Sequence, residues 1–362
     1  MTPLIKTDIT PTPGTPAALG LSMPAEWEKH SAIWLAWPYD PITFPDRVEK
    51  AEETYEEIIF AIHESEPVNL VVLNEDARER VSARLKKRGV APGRVFFHIR
   101  EYADVWFRDY GPIFVCDKAR TKLAMTHWIF NAWGGKYETL LKDAPTPELI
   151  NRGMKLRRFE PGIVLEGGSI DVNGAGALLT TGQCLLNSNR NPHLNKNEIE
   201  KYLADYLGAS HVIWLGDGIA GDDTDGHIDD IARFTDPSTV LCAVEDDPAD
   251  ANHEPLRENL EILKRAADQD GKPLNVVELP MPGFTGDEEG RLPASYANFY
   301  IGNTVVLAPV FGHENDSKAL DIIQSLFTSR RVVGIDCSDL VFGLGTLHCI
   351  SQQQPAAGPY GA

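Results

Sequence analysis

The chain has 362 residues, 43% of them hydrophobic and 24% charged, with a formal net charge of −19. Such a composition can build a sizeable core, while the negative charge repels nucleic-acid phosphates and anionic lipid; the expected partner is a cationic small molecule, with no nucleic acid and no membrane. No apolar run approaches the roughly 18 residues that a spanning helix needs.

The opening segment, 1–20, is rich in Thr and Pro and lacks the apolar stretch of a secretory signal, so it is expected as a loosely ordered tail. Five cysteines, at 116, 184, 242, 337 and 349, make an odd count without a CxxC pair or zinc-finger spacing, which points to a reducing, cytoplasmic setting. Beyond the tail, β-branched and aromatic runs predict strands, most of them buried, over 32–37, 68–73, 95–99, 178–181, 211–215, 239–244, 305–310 and 331–335. Helices are expected at about 46–65 and 75–88. A third opens at the capping box Asn195 to Glu198, with Ile199, Tyr202, Leu203, Tyr206 and Leu207 on one face. Leu256, Leu260, Leu263 and Ala267 mark a fourth, and Ala319, Ile322, Ile323, Leu326 and Phe327 a fifth.

In order, these elements repeat a unit of polar glycine-containing loop, two strands, amphipathic helix and closing strand. Copies begin near Gly168, His227 and Asn298, and the first half reads as further, less regular copies. One α/β domain over 21–355 is expected, with 356–362 as a C-terminal tail. Each copy opens with its most polar residues just after the closing strand of the copy before. Asp109 follows 95–99, Glu166 follows 154–159, His227 follows 211–215 and Cys349 follows 331–335. A radially repeated fold aims side chains at such strand exits toward one centre.

Each local motif has more than one reading. His227-Ile-Asp229 places both polar side chains on one side at strand spacing. They suit acid–base work with a carboxylate partner, metal ligation together with Asp222, Asp223 or Asp225, or only a loop of solvated acids. Trp106 stands three residues before Asp109, either walling a pocket or flanking a surface Arg108–Asp109 ion pair. Glu166 before Gly167-Gly168 is a functional carboxylate or part of a tight turn. Cys349 lies in the run Gly343 to Pro355 with His348 and three glutamines, as a reactive thiol or as an ordinary core thiol.

Taken together, the motifs resemble those of the agmatine deiminases and related bacterial-type peptidylarginine deiminases. The likeness runs from Met23-Pro-Ala-Glu-Trp-Glu28 to Pro355 and includes Trp34-Leu-Ala-Trp-Pro38, Trp106-Phe-Arg-Asp-Tyr-Gly-Pro112, Asn131-Ala-Trp-Gly-Gly-Lys136, Leu165-Glu-Gly-Gly168, Thr224-Asp-Gly-His-Ile-Asp229, Tyr296-Ala-Asn-Phe-Tyr300 and His348-Cys349. The resemblance implies a pentein fold, a five-bladed α/β propeller of ββαβ units around a central site. It implies Cys349 as nucleophile, His227 as acid and base, Asp109 and Asp229 as guanidinium clamps, Glu166 as the carboxylate that orients His227, and Asn298 and Trp106 as pocket residues. It implies neither metal nor organic cofactor. The chain departs from the family at Gly343-Leu-Gly-Thr-Leu347, where the usual pattern is Gly-Gly-Gly-Asn-Ile; Leu344 and Thr346 alter the loop before the thiol.

A guanidinium is planar, permanently charged and matched by carboxylates in pairs, and its carbon is a poor electrophile that calls for a thiolate. The expected reaction converts agmatine to N-carbamoylputrescine and ammonia through an S-alkylthiouronium, a step of polyamine synthesis. Free arginine or peptidylarginine would bring a carboxylate, and the arginines that the peptidylarginine branch supplies beside Asn131 to Trp133 are missing here. The ammonium of agmatine suits the acidic loop 217–225, with Asp223 as a binding residue. The alternatives are deimination of free arginine or peptidylarginine, an amidinotransferase, a metallohydrolase using His227 and Asp229, or a non-enzymatic pentein. A homodimer is expected.

Overall fold

The computed structural model describes residues 10–287 and 290–360. Its fold is mixed α/β, built on five sheets and one short hairpin among the described residues. Four sheets share one plan: a first strand pairs antiparallel with a second, and a helix carries the chain to a third strand parallel to the second. In the first of these, Ile113–Asp117 and Leu123–Thr126 are followed by the helix Thr146–Met154 and the strand Arg158–Phe159, and Leu21–Ser22 adds to the edge. The second runs Asp171–Val172, Ala177–Thr181, helix Lys196–Leu207, His211–Leu215. The third runs Ala232–Phe234, Thr239–Val244, helix His253–Arg265, Asn275–Pro280. The fourth runs Tyr300–Ile301, Val305–Val310, helix Asp316–Leu326, Arg331–Asp336.

The fifth sheet joins the two ends of the chain. His30–Ala36, helix Val48–Ile62 and Val68–Val72 form its crossover, helix Glu75–Arg88 adds the edge strand Val95–Ile99, and the short antiparallel strand comes from Gln352–Pro355. Gln352 lies opposite Trp34. The most N-terminal sheet is therefore completed by the segment that follows Cys349.

The five helices that periodicity predicts all form, and Thr146–Met154 is one that it did not predict. Asn195 accepts the Glu198 amide and Glu198 returns a bond to the Asn195 amide, so two of the otherwise unpaired N–H groups at that helix start are satisfied. Gly208 closes the helix at φ 73°, in the left-handed region where a Cβ is unfavourable. Leu256, Leu260 and Leu263 are buried against the third plan sheet, each contributing about 2 kcal/mol of apolar burial. Ala267 and Phe327 lie just beyond their helices, and 46–65 shortens to Val48–Ile62. Of 154–159, only Arg158–Phe159 is strand; Met154 ends a helix.

Within 10–20, Thr12 donates from its amide to Asp205 at 2.9 Å, and at the other end the Arg157 amide donates to the Tyr360 carbonyl at 2.7 Å. Residues 1–9 and 361–362 of the two expected tails lie outside the described residues.

Candidate active site

The first strands, antiparallel to their neighbours in every sheet, organise the centre. Asp109, Glu166, Asp229, Asn298 and Cys349 each stand a few residues before one of them, in the turns that lead into Ile113–Asp117, Asp171–Val172, Ala232–Phe234, Tyr300–Ile301 and Gln352–Pro355. All five are buried, as is His227. Their meeting point is marked by a glycine. A Cβ placed on Gly168 would lie 2.6 Å from His227 Nδ1, 2.9 Å from Asp109 Oδ1 and 3.1 Å from Asp229 Oδ2. Ordinary contacts are about 3.5 Å or more, so only glycine lets these three side chains approach.

Asn298 fixes the thiol. Its Oδ1 accepts the Thr346 hydroxyl at 2.9 Å and the amides of His348 and Cys349 at 2.9 and 3.3 Å. Its Nδ2 therefore donates, to Asp230 Oδ1 at 2.9 Å and to Cys349 Sγ at 3.0 Å. Sγ also lies 3.7 Å from Asp229 Oδ2. Burial, then Asp229, Asp230 and Asp109, push the Cys349 thiol well above the usual range, against the Asn298 bond. The thiol is thus protonated at neutral pH, and a thiolate requires compensating positive charge.

The carboxylates are held unequally. Asp109 accepts the Gly168 amide and Trp133 Nε1, each at 3.0 Å, yet burial and then Asp229 and Glu166 raise it well above the carboxylate range. Asp229 is also desolvated, but the His348 bond holds it low. Its Oδ2 lies 2.6 Å from His348 Nδ1, and its Oδ1 is buried without a hydrogen-bond partner. Burial lowers His227 to about 3, with Asp229 opposing and Arg190 adding to the shift. Neither of its ring nitrogens has a hydrogen-bond partner; Nδ1 stands 3.8 Å from Asp109 Oδ1. Glu166 is near His227 but unbonded to it: Oε1 takes Arg190 Nε at 2.7 Å, and Oε2 is free. Burial raises Glu166, with Arg190 opposing.

Above this layer opens a pocket of about 190 Å³. Trp106, Asp109, Asp223 and Cys349 line it, whereas His227, Glu166, Asp229 and Asn298 are not among its lining residues. Trp106 walls it as one reading of the sequence had it, packed on Gly345 and donating Nε1 to Asp104 Oδ2 at 3.0 Å. The surface ion pair of the other reading is not formed, because Arg108 is buried and donates to the His348 carbonyl and to Gln353 Oε1, at 3.2 and 2.7 Å. Nor are His227 and Asp229 solvated, being 1% and 0% exposed. Leu344 lines the pocket at φ 72°, and Thr346 turns inward to Asn298, so the family departures reach the pocket wall and the thiol's support.

The acidic loop mostly serves itself. Asp222 accepts the amides of Thr224, Gly226 and His227, and Asp225 takes Arg190 at 2.7 Å and Lys136 at 2.8 Å. Of its aspartates only Asp223 lines the pocket, with Tyr137 donating to Oδ2 at 2.5 Å. Possible metal-ligand atoms instead come together as Glu166, Cys184 and His227, and as Asp229, Asp230 and Cys349, each group within 4.8 Å. Both groups share residues with the centre described above.

Sequence reading passed over Asp230, Trp133 and Glu26. Trp133 and Glu26 sit inside motifs that were singled out and Asp230 one position beyond one, but no spacing reveals that Trp133 reaches Asp109 or Glu26 reaches His348.

The family described as Porphyromonas-type peptidyl-arginine deiminase matches residues 22–355. The agmatine deiminase of Medicago truncatula is 36% identical over 377 aligned positions, covering 94% of this chain and 98% of that protein. The agmatine deiminase of Pseudomonas syringae pv. tomato is 37% identical, covering 94% and 97%. The solved structure of agmatine deiminase from Enterococcus faecalis superposes with a TM-score of 0.87 at 32% identity, covering 96% of this chain and 99% of that one. The chain belongs to the Porphyromonas-type peptidyl-arginine deiminase family.

Proposed function

We propose that the chain is an agmatine deiminase, hydrolysing agmatine to N-carbamoylputrescine and ammonia. The observation that carries the choice of substrate is the pocket over Cys349: its lining includes Asp40, Asp104, Asp109 and Asp223 and neither Lys nor Arg. Agmatine is cationic at both ends. The carboxylate of free arginine would meet only like charge there.

In this reading the guanidinium lies between Asp109 and Asp229, stacked on Trp106. Its charge offsets the carboxylates that hold the Cys349 thiol up, so the thiol ionises as substrate arrives and neutral His227 takes the proton. The thiolate adds to the guanidinium carbon, forming a C–S bond. His227 returns the proton to the leaving nitrogen, the C–N bond breaks, and ammonia departs from an S-alkylthiouronium. Water then adds at the same carbon, giving a proton to His227, and the C–S bond breaks to release the ureido product and the thiol. Fixed carboxylates suit this sequence better than an oxyanion hole, since attack on a cation develops no oxyanion. Glu166, fastened by Arg190, keeps a negative charge beside the imidazolium as it forms.

The five sheets are read as the blades of a propeller around this pocket, forming one catalytic domain over 21–355. The closure of the N-terminal sheet by Gln352–Pro355 supports that reading. A cytoplasmic homodimer is proposed with it, on the reducing character of the cysteine set and the prevalence of two-fold assemblies. Ammonia release from agmatine and from arginine, measured side by side, tests the substrate. A higher kcat/KM for agmatine is expected, and a higher value for arginine overturns the choice.

A further inference from the structure

Beneath the carboxylates and thiol lies a second buried layer of charge that the reaction scheme leaves unused. The His348 ring stands between two carboxylates, with Nδ1 2.6 Å from Asp229 Oδ2 and Nε2 2.9 Å from Glu26 Oε2. Glu26 is an acceptor at both oxygens: the Ile301 amide donates to Oε1 at 2.6 Å and Arg233 donates to Oε2 at 2.8 Å. Arg233 also donates to Asp171 Oδ2 at 2.5 Å. Against burial, Arg233 and His348 hold Glu26 well below the usual carboxylate range. With both neighbours accepting, a ring lacking one proton would set a nitrogen lone pair against a carboxylate oxygen. A ring donating from both nitrogens also balances the layer, in which Glu26, Asp171 and Asp229 face Arg108, Arg233 and His348.

We propose that His348 is a positioning residue for Asp229, donating one ring N–H to it and the other to Glu26, so that Asp229 is held with Oδ2 pinned and Oδ1 left for the substrate cation. This rests on the reading of Asp229 as a guanidinium clamp. The His348 amide donates to Asn298 Oδ1 at 2.9 Å and its carbonyl accepts Arg108 Nε at 3.2 Å, so the ring cannot follow a shifting carboxylate. Because Cys349 is the next residue and bonds to the same Asn298, the clamp and the thiol are located by one rigid stretch of chain. Without His348, Asp229 would be a buried carboxylate lacking its donor, which takes up a proton or rotates Oδ1 away from the cation.

The test compares two thiol reagents that differ only in the group the clamp reads. 2-Chloroacetamidine presents a planar amidinium and 2-chloroacetamide its neutral counterpart; Cys349 displaces chloride from either, forming a C–S bond as the C–Cl bond breaks. In His348→Gln, the ratio of the amidine to the amide inactivation rate is expected to fall about tenfold or more, the loss of one hydrogen bond to a charged group. The amide rate is expected to stay within about twofold of wild type. An unchanged ratio, whether or not both rates fall together, overturns the proposal. Neutron diffraction on the wild-type protein tests it without a variant: deuterons are expected on both His348 nitrogens, and a single deuteron overturns it. Agmatine turnover is assayed separately. Absent turnover with an intact amidine preference would sink the agmatine reading and leave the role of His348 standing.

Discussion

Gly168→Ala is a demanding perturbation of the proposed centre because it adds one methyl and removes nothing. The backbone at Gly168 is outside the left-handed region and tolerates alanine. The effect therefore falls on the side chains that converge there. The new Cβ would stand 2.6 Å from His227 Nδ1 and 2.9 Å from Asp109 Oδ1, against an ordinary separation of about 3.5 Å or more, so His227 must retreat by about 1 Å. The Gly168 amide can still donate to Asp109. A displacement of that size at reacting groups costs on the order of 100-fold in rate, equivalent to about 2.7 kcal/mol of barrier. Overpacking is expected to cost about 1–3 kcal/mol of stability. Ammonia release under saturating agmatine reads the first quantity and denaturant unfolding the second. A folded Gly168→Ala protein with kcat within about twofold of wild type would refute the convergence of His227, Asp109 and Asp229 on the reacting atoms.

Further outcomes follow from the same geometry. Cys349→Ser abolishes turnover in an ammonia assay; substantial residual activity would contradict its role as nucleophile. Asn298→Ala removes the donor to Sγ and frees the loop amides, and a fall of about 10- to 100-fold in kcat is expected from one lost charge-assisted bond; an unchanged kcat would contradict it. Trp133→Phe deletes the bond to Asp109 Oδ2, and a raised KM for agmatine is expected, read by steady-state kinetics. His227 gives a pH test. Burial lowers it from 6.5 to about 3, so between those values the unfolded chain binds a proton that the folded one does not. Its burial therefore costs stability as pH falls through 6.5. His227→Asn is expected to melt progressively higher relative to wild type as pH drops from about 7 to 4, and a constant difference would refute the neutral buried ring.

The long strands and amphipathic helices were legible because their pattern is local: five to seven apolar residues, or a stripe at helical spacing, suffice. The short first strands were not. Asp171–Val172 and Tyr300–Ile301 span two residues each and carry no periodicity, although they place Glu166 and Asn298. Nor could spacing show that Gln352–Pro355 completes the sheet of His30–Ala36, a pairing across nearly the whole chain. Polar residues at strand exits did mark Asp109, Glu166, His227 and Cys349, since the repeat makes their positions equivalent. What the repeat cannot convey is protonation. The thiolate that a guanidinium carbon calls for is opposed by the same carboxylates that suit the cation, because they raise the thiol. No hydrogen bond joins Glu166 to His227: Arg190, which no motif linked to Glu166, takes its Oε1, and Oε2 has no partner.

The mechanism stands or falls on covalent catalysis at Cys349 on agmatine. Acid-quenching the working enzyme and mapping its peptides by mass spectrometry tests this directly. An adduct is expected on the Cys349 peptide with the mass of agmatine less ammonia, formed during turnover and lost when agmatine is exhausted. Steady agmatine hydrolysis with Cys349 unmodified throughout, in samples quenched fast enough to hold the intermediate, would contradict it.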